Sequence, residues 1–208
     1  MPISNPLHKK WDSSKGRSPL SDFVKHIHPV SDELLDIIDE YSFTCSVSKG
    51  KYILKSGDLC KDLYLIKKGI ARSYIKDSSK DITTWITAEG EIITSIRGFH
   101  MQQPSMENIQ AIEDCELIGA SYEGLEDIYE RFPEMNIVGR KLLVQYYIDA
   151  EERAYIARLS NASTKYGYFL ETKGHLANRI HLKYIASFLG MTIETLSRIR
   201  SKLGKTKR

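Results

Sequence analysis

The chain has 208 residues, 41% hydrophobic and 27% charged, with a net charge of +3. That length suits one large or two small domains, and no apolar run approaches the roughly 18 residues of a membrane span. Three scattered cysteines, Cys45, Cys60 and Cys115, form no CxxC pair. They exclude zinc ribbons, dithiol redox sites and four-cysteine iron–sulfur clusters, and they fit reduced thiols in a cytoplasm. From Ser160 onward there are ten Lys and Arg against two Glu, a surplus of +8 that leaves −5 for the first 159 residues. Such asymmetry points to a basic nucleic-acid module behind a more acidic domain.

In chain order, residues 1–17 are polar, lack a signal-peptide core and read as a mobile tail. Residues 18–42 carry helical spacings, with Leu20, Phe23, Val24 and Ile27, then Leu34, Leu35, Ile37 and Ile38. From Phe43 to Ser121 short β-rich runs alternate with Gly and Asp turns. Examples are Tyr52-Ile-Leu, Leu63-Tyr-Leu-Ile, Ile82-Thr-Thr-Trp-Ile-Thr and Cys115-Glu-Leu-Ile. Many short strands at close spacing predict a jelly-roll or sandwich. Tyr122–Phe132 reads as a short helix stopped by Pro133, closing an effector domain over 18–133.

A long helix is expected over 134–159, about 38 Å at 1.5 Å per residue. It is apolar on several faces, so several sides need cover. Val138, Leu142 and Tyr146 form one row and are expected at the interface of a homodimer, where a two-fold axis supplies the partner helix. Residues 160–164 read as a hinge before a basic module over 160–208.

Within that module Leu182–Leu203 has the plan of a helix-turn-helix. Ile185, Ala186 and Leu189 line one face of a first helix. Gly190 tolerates the positive φ of a turn, and the Thr192 hydroxyl can cap a second helix. Leu196, Ile199 and Leu203 are its expected buried face. Its other face shows Glu194, Ser197, Arg198, Ser201 and Lys202, groups suited to phosphates and base edges. The partner this implies is double-stranded DNA. Only five residues follow Leu203, so any contacts of a winged-helix type must come from before residue 182.

Three stretches carry a family resemblance: Gly57-Asp58 followed by Leu63-Tyr-Leu-Ile-Lys-Lys-Gly69, Ser121-Tyr122 with Pro133, and Ile185-Ala-Ser-Phe-Leu-Gly-Met-Thr-Ile-Glu-Thr-Leu-Ser-Arg198. With the order helix, β-roll, long helix, helix-turn-helix, the chain resembles the Crp/Fnr superfamily of bacterial transcription regulators. The resemblance implies an α+β fold with a cyclic-nucleotide-binding-like roll, a dimerisation helix and a DNA-reading unit acting on a palindrome. It implies base reading by Glu194, Ser197 and Arg198 at a TTGA-like half-site. Ile193 stands where the cyclic-AMP receptor has Arg. Lys183, Thr192, Arg200 and Lys202 are expected near phosphates. RNA polymerase and an unidentified small effector are the further partners implied, and no membrane or cofactor is.

The same resemblance marks a departure. The family's cyclic-AMP site uses a Gly-Glu pair and an Arg-Ser pair; counted from Ser121-Tyr122, those places hold Thr94-Ser95 and Ser105-Met106. On the long helix Ala150-Glu151 replace a Thr-Ser pair. A buried cyclic phosphate without Arg would be an unpaired charge, so no cyclic-nucleotide binding is expected and the pocket is read as degenerate. Two other classes compete: a sensing or scaffolding module whose helix-turn-helix contacts protein, and an enzyme on a cupin-like roll. The latter needs histidines on the strands, where His100 stands alone between 43 and 121. No catalytic or metal-binding set stands out.

Overall fold

The computed structural model describes residues 8–206; residues 1–7 of the expected tail and Lys207 and Arg208 of the basic module lie outside the described residues. The rest of the tail is not loose. Lys9–Lys10 (β1) pairs with Phe43 and Thr44, and Ser13–Lys15 form a 3-10 turn capped by Asp12. Arg17 forms ion pairs with Asp36 and Asp39. The sequence reading missed this because these strand and ion-pair partners lie 19 or more residues away.

Two helices follow, Pro19–Ile27 (α1) and Asp32–Tyr41 (α2). Each starts at a serine whose hydroxyl accepts a backbone N–H three residues on, Ser18 from Ser21 and Ser31 from Leu34. Eight strands then run Phe43–Val47 (β2), Tyr52–Leu54 (β3), Asp62–Lys68 (β4), Ala71–Asp77 (β5), Lys80–Thr87 (β6), Ile92–Ile93 (β7), Asn108–Ala111 (β8) and Cys115–Ser121 (β9). A five-residue helix, Ile96–His100 (α3), interrupts them. They form two antiparallel sheets, β1-β2-β9-β4-β7 and β3-β8-β5-β6. Cys45, Tyr64, Ile66, Ala71, Ile109 and Leu117 fill the space between them. The turn after β4 needs Gly69: its φ is +96°, and a Cβ there would lie 2.4 Å from the Asp114 carbonyl oxygen.

Tyr122–Arg131 (α4) and the long helix Pro133–Arg158 (α5) leave the roll. The expected hinge is shorter than its sequence suggested. Asn161 caps a further helix, Ala162–Lys173 (α6), by accepting N–H bonds from Ser163 and Thr164. Leu182–Phe188 (α7) and Ile193–Thr206 (α8) complete the chain. No helix among the described residues is long and apolar enough to cross a membrane.

The basic module does not hang free from the roll. Ile70, Ile86 and Ile112 of the roll share one apolar cluster with Phe169, Leu176, Ile185 and Leu196 of the module. Polar ties frame it. Arg179 bonds Glu89 at 2.6 Å and Glu113 at 2.5 Å; this partner holds the Glu89 carboxyl down at about 2. Ser187 Oγ accepts from the Thr83 N–H at 2.9 Å and donates to the Asp81 carbonyl at 3.0 Å. The buried Arg72 guanidinium lies 4.0 Å from the Tyr74 ring centroid and 4.1 Å from that of Tyr184.

Candidate nucleic-acid interface

The helix-turn-helix is built from local chemistry. Ile185 and Ala186 on α7 and Leu196 and Ile199 on α8 are buried against each other and α6. Between them Leu189 ends α7 and Gly190 turns with φ +63°. The Thr195 N–H donates to Thr192 Oγ1 at 3.2 Å, so Thr192 caps α8 and its hydroxyl is engaged within the fold.

That packing aims one face of α8 outward. Ile193, Glu194, Ser197, Arg198 and Lys202 are all exposed. The Glu194 carboxylate sits at the helix N-terminus, where its own backbone N–H and the Thr192 hydroxyl hold it below the usual carboxylate range. It is therefore an acceptor at neutral pH. Arg198 lies one turn on, about 6 Å along the axis. Among the described residues it has no hydrogen-bond or ion-pair partner, Glu194 included, and it is exposed. Lys183 is exposed on α7, its ammonium 4.9 Å from the Tyr184 ring.

Two expectations fail here. Arg200 does not face outward: its guanidinium donates to Asn178 Oδ1 at 3.1 Å and to the Ala177 carbonyl at 3.4 Å, tying α8 to the preceding loop. Leu203 is 44% exposed. The facing turns of α6 offer Ser163 and Gly167, too small to cover it, which leaves a cleft of about 430 Å³ with Leu170 and Ile199.

The degenerate pocket residues divide into two groups. Ser95 and Ser105 meet inside the roll, with their hydroxyls 3.0 Å apart. Thr94 turns away to the Asp62 carbonyl and the Cys60 thiol, each at 3.2 Å. Met106 is exposed, and the exposed Glu151 accepts only from Tyr155 on its own helix, while Ala150 is half-buried. Residues that sequence spacing did not single out complete the inner group. Glu107 accepts from Thr84 Oγ1 at 3.3 Å, and burial pushes its carboxyl above the ordinary range. Arg153 of α5 stacks on Trp85 at 3.6 Å, bonds the Thr84 and Asp149 carbonyls, and is drawn down to about 10 by burial. Trp85 also faces Tyr146. The Ser95–Ser105–Glu107 group thus holds a carboxylate, while the cation beside it is occupied by a ring and two carbonyls.

Residues 44–132 match the family model described as cyclic nucleotide-binding domain. Electron transport regulator A of Shewanella oneidensis is 25% identical over 187 residues, which cover 84% of this chain and 73% of that protein. The fumarate and nitrate reduction regulatory protein of Yersinia pestis is 26% identical over 196 residues, with the same shares. Among solved structures, FixK2 from Bradyrhizobium japonicum has the same fold at a TM-score of 0.68 and 20% identity, over 80% of this chain and 86% of that one. The chain thus carries a cyclic nucleotide-binding domain and is similar along most of its length to regulators of the Crp/Fnr type.

The long helix α5 carries the other expected contact surface. The row expected at a partner helix faces its own subunit instead. Val138 is fully buried with Leu20, Val24 and Ile128, and Leu142 packs against that same cluster. The Tyr146 hydroxyl bonds both the N–H and the carbonyl of Ile92 at 3.2 Å. The uncovered face of this helix carries Leu143, Val144, Tyr147, Ile148 and Tyr155.

Proposed function

We propose that this chain is a transcription regulator of the Crp/Fnr type, a homodimer that reads a palindromic DNA site with Glu194, Ser197 and Arg198 of α8. The observation that carries the reading is the outward face of α8, where an ionised carboxylate and an unpartnered guanidinium stand one turn apart on a helix fixed by Leu196 and Ile199. Glu accepts from cytosine N4, and Arg donates twice to guanine O6 and N7. Ile193, 45% exposed, suits a thymine methyl. Lys183 and Lys202 flank this face as phosphate neighbours, which strengthen binding at any sequence. Arg200 and Thr192 act inside the module.

The dimer forms through the uncovered face of α5, Leu143, Val144, Tyr147 and Tyr155. An apolar stripe of this kind along a helix is what a second copy buries. Cyclic nucleotides do not control the protein, because a cyclic phosphate beside Ser95 and Ser105 would meet Glu107 rather than a free cation. RNA polymerase and a small effector are further partners of this reading, in a cytoplasmic setting.

Selection of duplexes from a random pool tests the proposal. The expected product is a TTGA-like palindrome with half-sites about 34 Å apart; no enriched palindrome would overturn it. Arg198→Ala should lower affinity by about 1–3 kcal/mol per half-site and relax the preference at its guanine, measured by fluorescence anisotropy on wild-type and single-base variant duplexes.

A further inference from the structure

Lys165, on the first turn of α6, is 7% exposed. Its ammonium donates to the Ala157 carbonyl at 3.1 Å and to the Leu189 carbonyl at 3.3 Å. No carboxylate lies within ion-pair distance among the described residues. The two acceptors belong to different elements. Ala157 is in the last turn of α5, and Leu189 is the residue that ends α7, one before the Gly190 turn into α8. Both are helix C-termini, where unpaired carbonyls and the helix dipole favour a cation. The ammonium lies against the turn itself: a Cβ on Gly190 would be in ordinary contact with it, at 3.8 Å.

A buried charge with only neutral acceptors is a costly way to fill a site. What it provides here is a connection. The chain path from Ala157 to Leu189 runs through 32 residues, whereas the ammonium joins the two points directly. The Met191 N–H, at 3.0 Å from the Ala186 carbonyl, and the Gly190 N–H, at 3.1 Å from that of Ser187, complete the turn that this bond anchors.

We infer that Lys165 is a positioning residue which fixes the orientation of α8 relative to the long helix, and hence the separation at which two copies meet two half-sites. This rests on the DNA-reading dimer proposed above. It assigns Lys165 no contact with a base or a phosphate.

The test is Lys165→Met, which keeps the apolar stem and removes the donor. Affinity is measured on the selected palindrome and on one whose half-sites are moved apart by about 5 base pairs, half a helical turn. The expected result is that discrimination between the two spacings falls about tenfold, while the penalty for a single base change within a half-site stays within about twofold. Unchanged spacing discrimination overturns the inference. So does an equal loss of base preference, which a general loss of structure would produce.

Hydrogen exchange gives a readout independent of DNA. The Gly190 and Met191 amides and the Leu159 amide should exchange faster together in Lys165→Met; unchanged exchange overturns the inference even if no palindrome is bound by the wild type. Should Lys165→Met fail to fold, Lys165→Gln retains one donor and should show a smaller loss in both measurements. Full retention in Lys165→Gln then counts against the role.

Discussion

The two faces of the long helix carry similar residues and do opposite work. Val138, Leu142, Tyr146 and Arg153 face inward and close the roll. Leu143, Val144, Tyr147 and Tyr155 face outward and are 52–71% exposed. Composition does not separate the two faces, since each holds Leu, Val and Tyr. What separates them is polar chemistry at depth. The inner Tyr146 and Arg153 find backbone and ring partners on the roll, while the outer Tyr155 hydroxyl reaches only Glu151 of its own helix. The inner face therefore belongs to the fold, and the outer one is the face assigned to the proposed dimer.

Charging the outer face should break assembly and leave the fold alone. Leu143→Glu with Tyr147→Glu is expected to give a folded monomer by analytical ultracentrifugation. Its palindrome affinity should fall by about 10²–10⁴-fold as linkage between half-sites is lost. A persistent dimer would erase the distinction between the faces. The inner counterpart is Val138→Ala. It should cost about 2 kcal/mol in chemical denaturation with the dimer intact, and a dissociated protein of unchanged stability would reverse the assignment.

A finer comparison uses one chemical change on both faces. Tyr146→Phe removes an engaged, largely buried hydroxyl and should cost about 1 kcal/mol. Tyr155→Phe removes an exposed one and should stay within about 0.5 kcal/mol. The smallest expected effect is pH-dependent. Burial lifts Glu107 above its ordinary value of 4.5, so the folded state takes up this proton before the unfolded chain does as pH falls. The penalty for the buried charge is present above the folded value and disappears below the ordinary one. Glu107→Gln should then have a higher Tm than wild type near neutral pH, by thermal scans, and no advantage near pH 4. A constant difference across that range would mean that the gain is not protonation-linked.

Both faces of α5 are apolar in the sequence, which is why Val138, Leu142 and Tyr146 read as a partner-facing row although they pack on their own roll and its helices. Val138, Leu142 and Tyr146 repeat every four residues, but a row of that spacing fits a partner helix and a roll equally well. The local features were legible. Gly190 with Thr192, Leu196 and Ile199 specified the turn and the outward face of α8, because each acts within a few residues. The strands were legible for the same reason, their alternation being broken by Gly and Asp. Helix α6 was hidden by its opening Asn161-Ala-Ser-Thr, which reads as loop until Asn161 is seen capping it. The Arg153–Trp85 stack and the Arg200–Asn178 bond join residues 68 and 22 positions apart, and no periodicity announces either.

The short β1 has a consequence for handling the protein. Lys9 and Lys10 cover the outer edge of β2, whose other side is already paired with β9. A chain trimmed past residue 10 would bare the backbone donors and acceptors of Phe43 and Thr44, lengthening the kind of edge on which strands of neighbouring molecules stack. The two lysines thus act as a guard against self-association, and they belong in any preparation meant to stay dispersed.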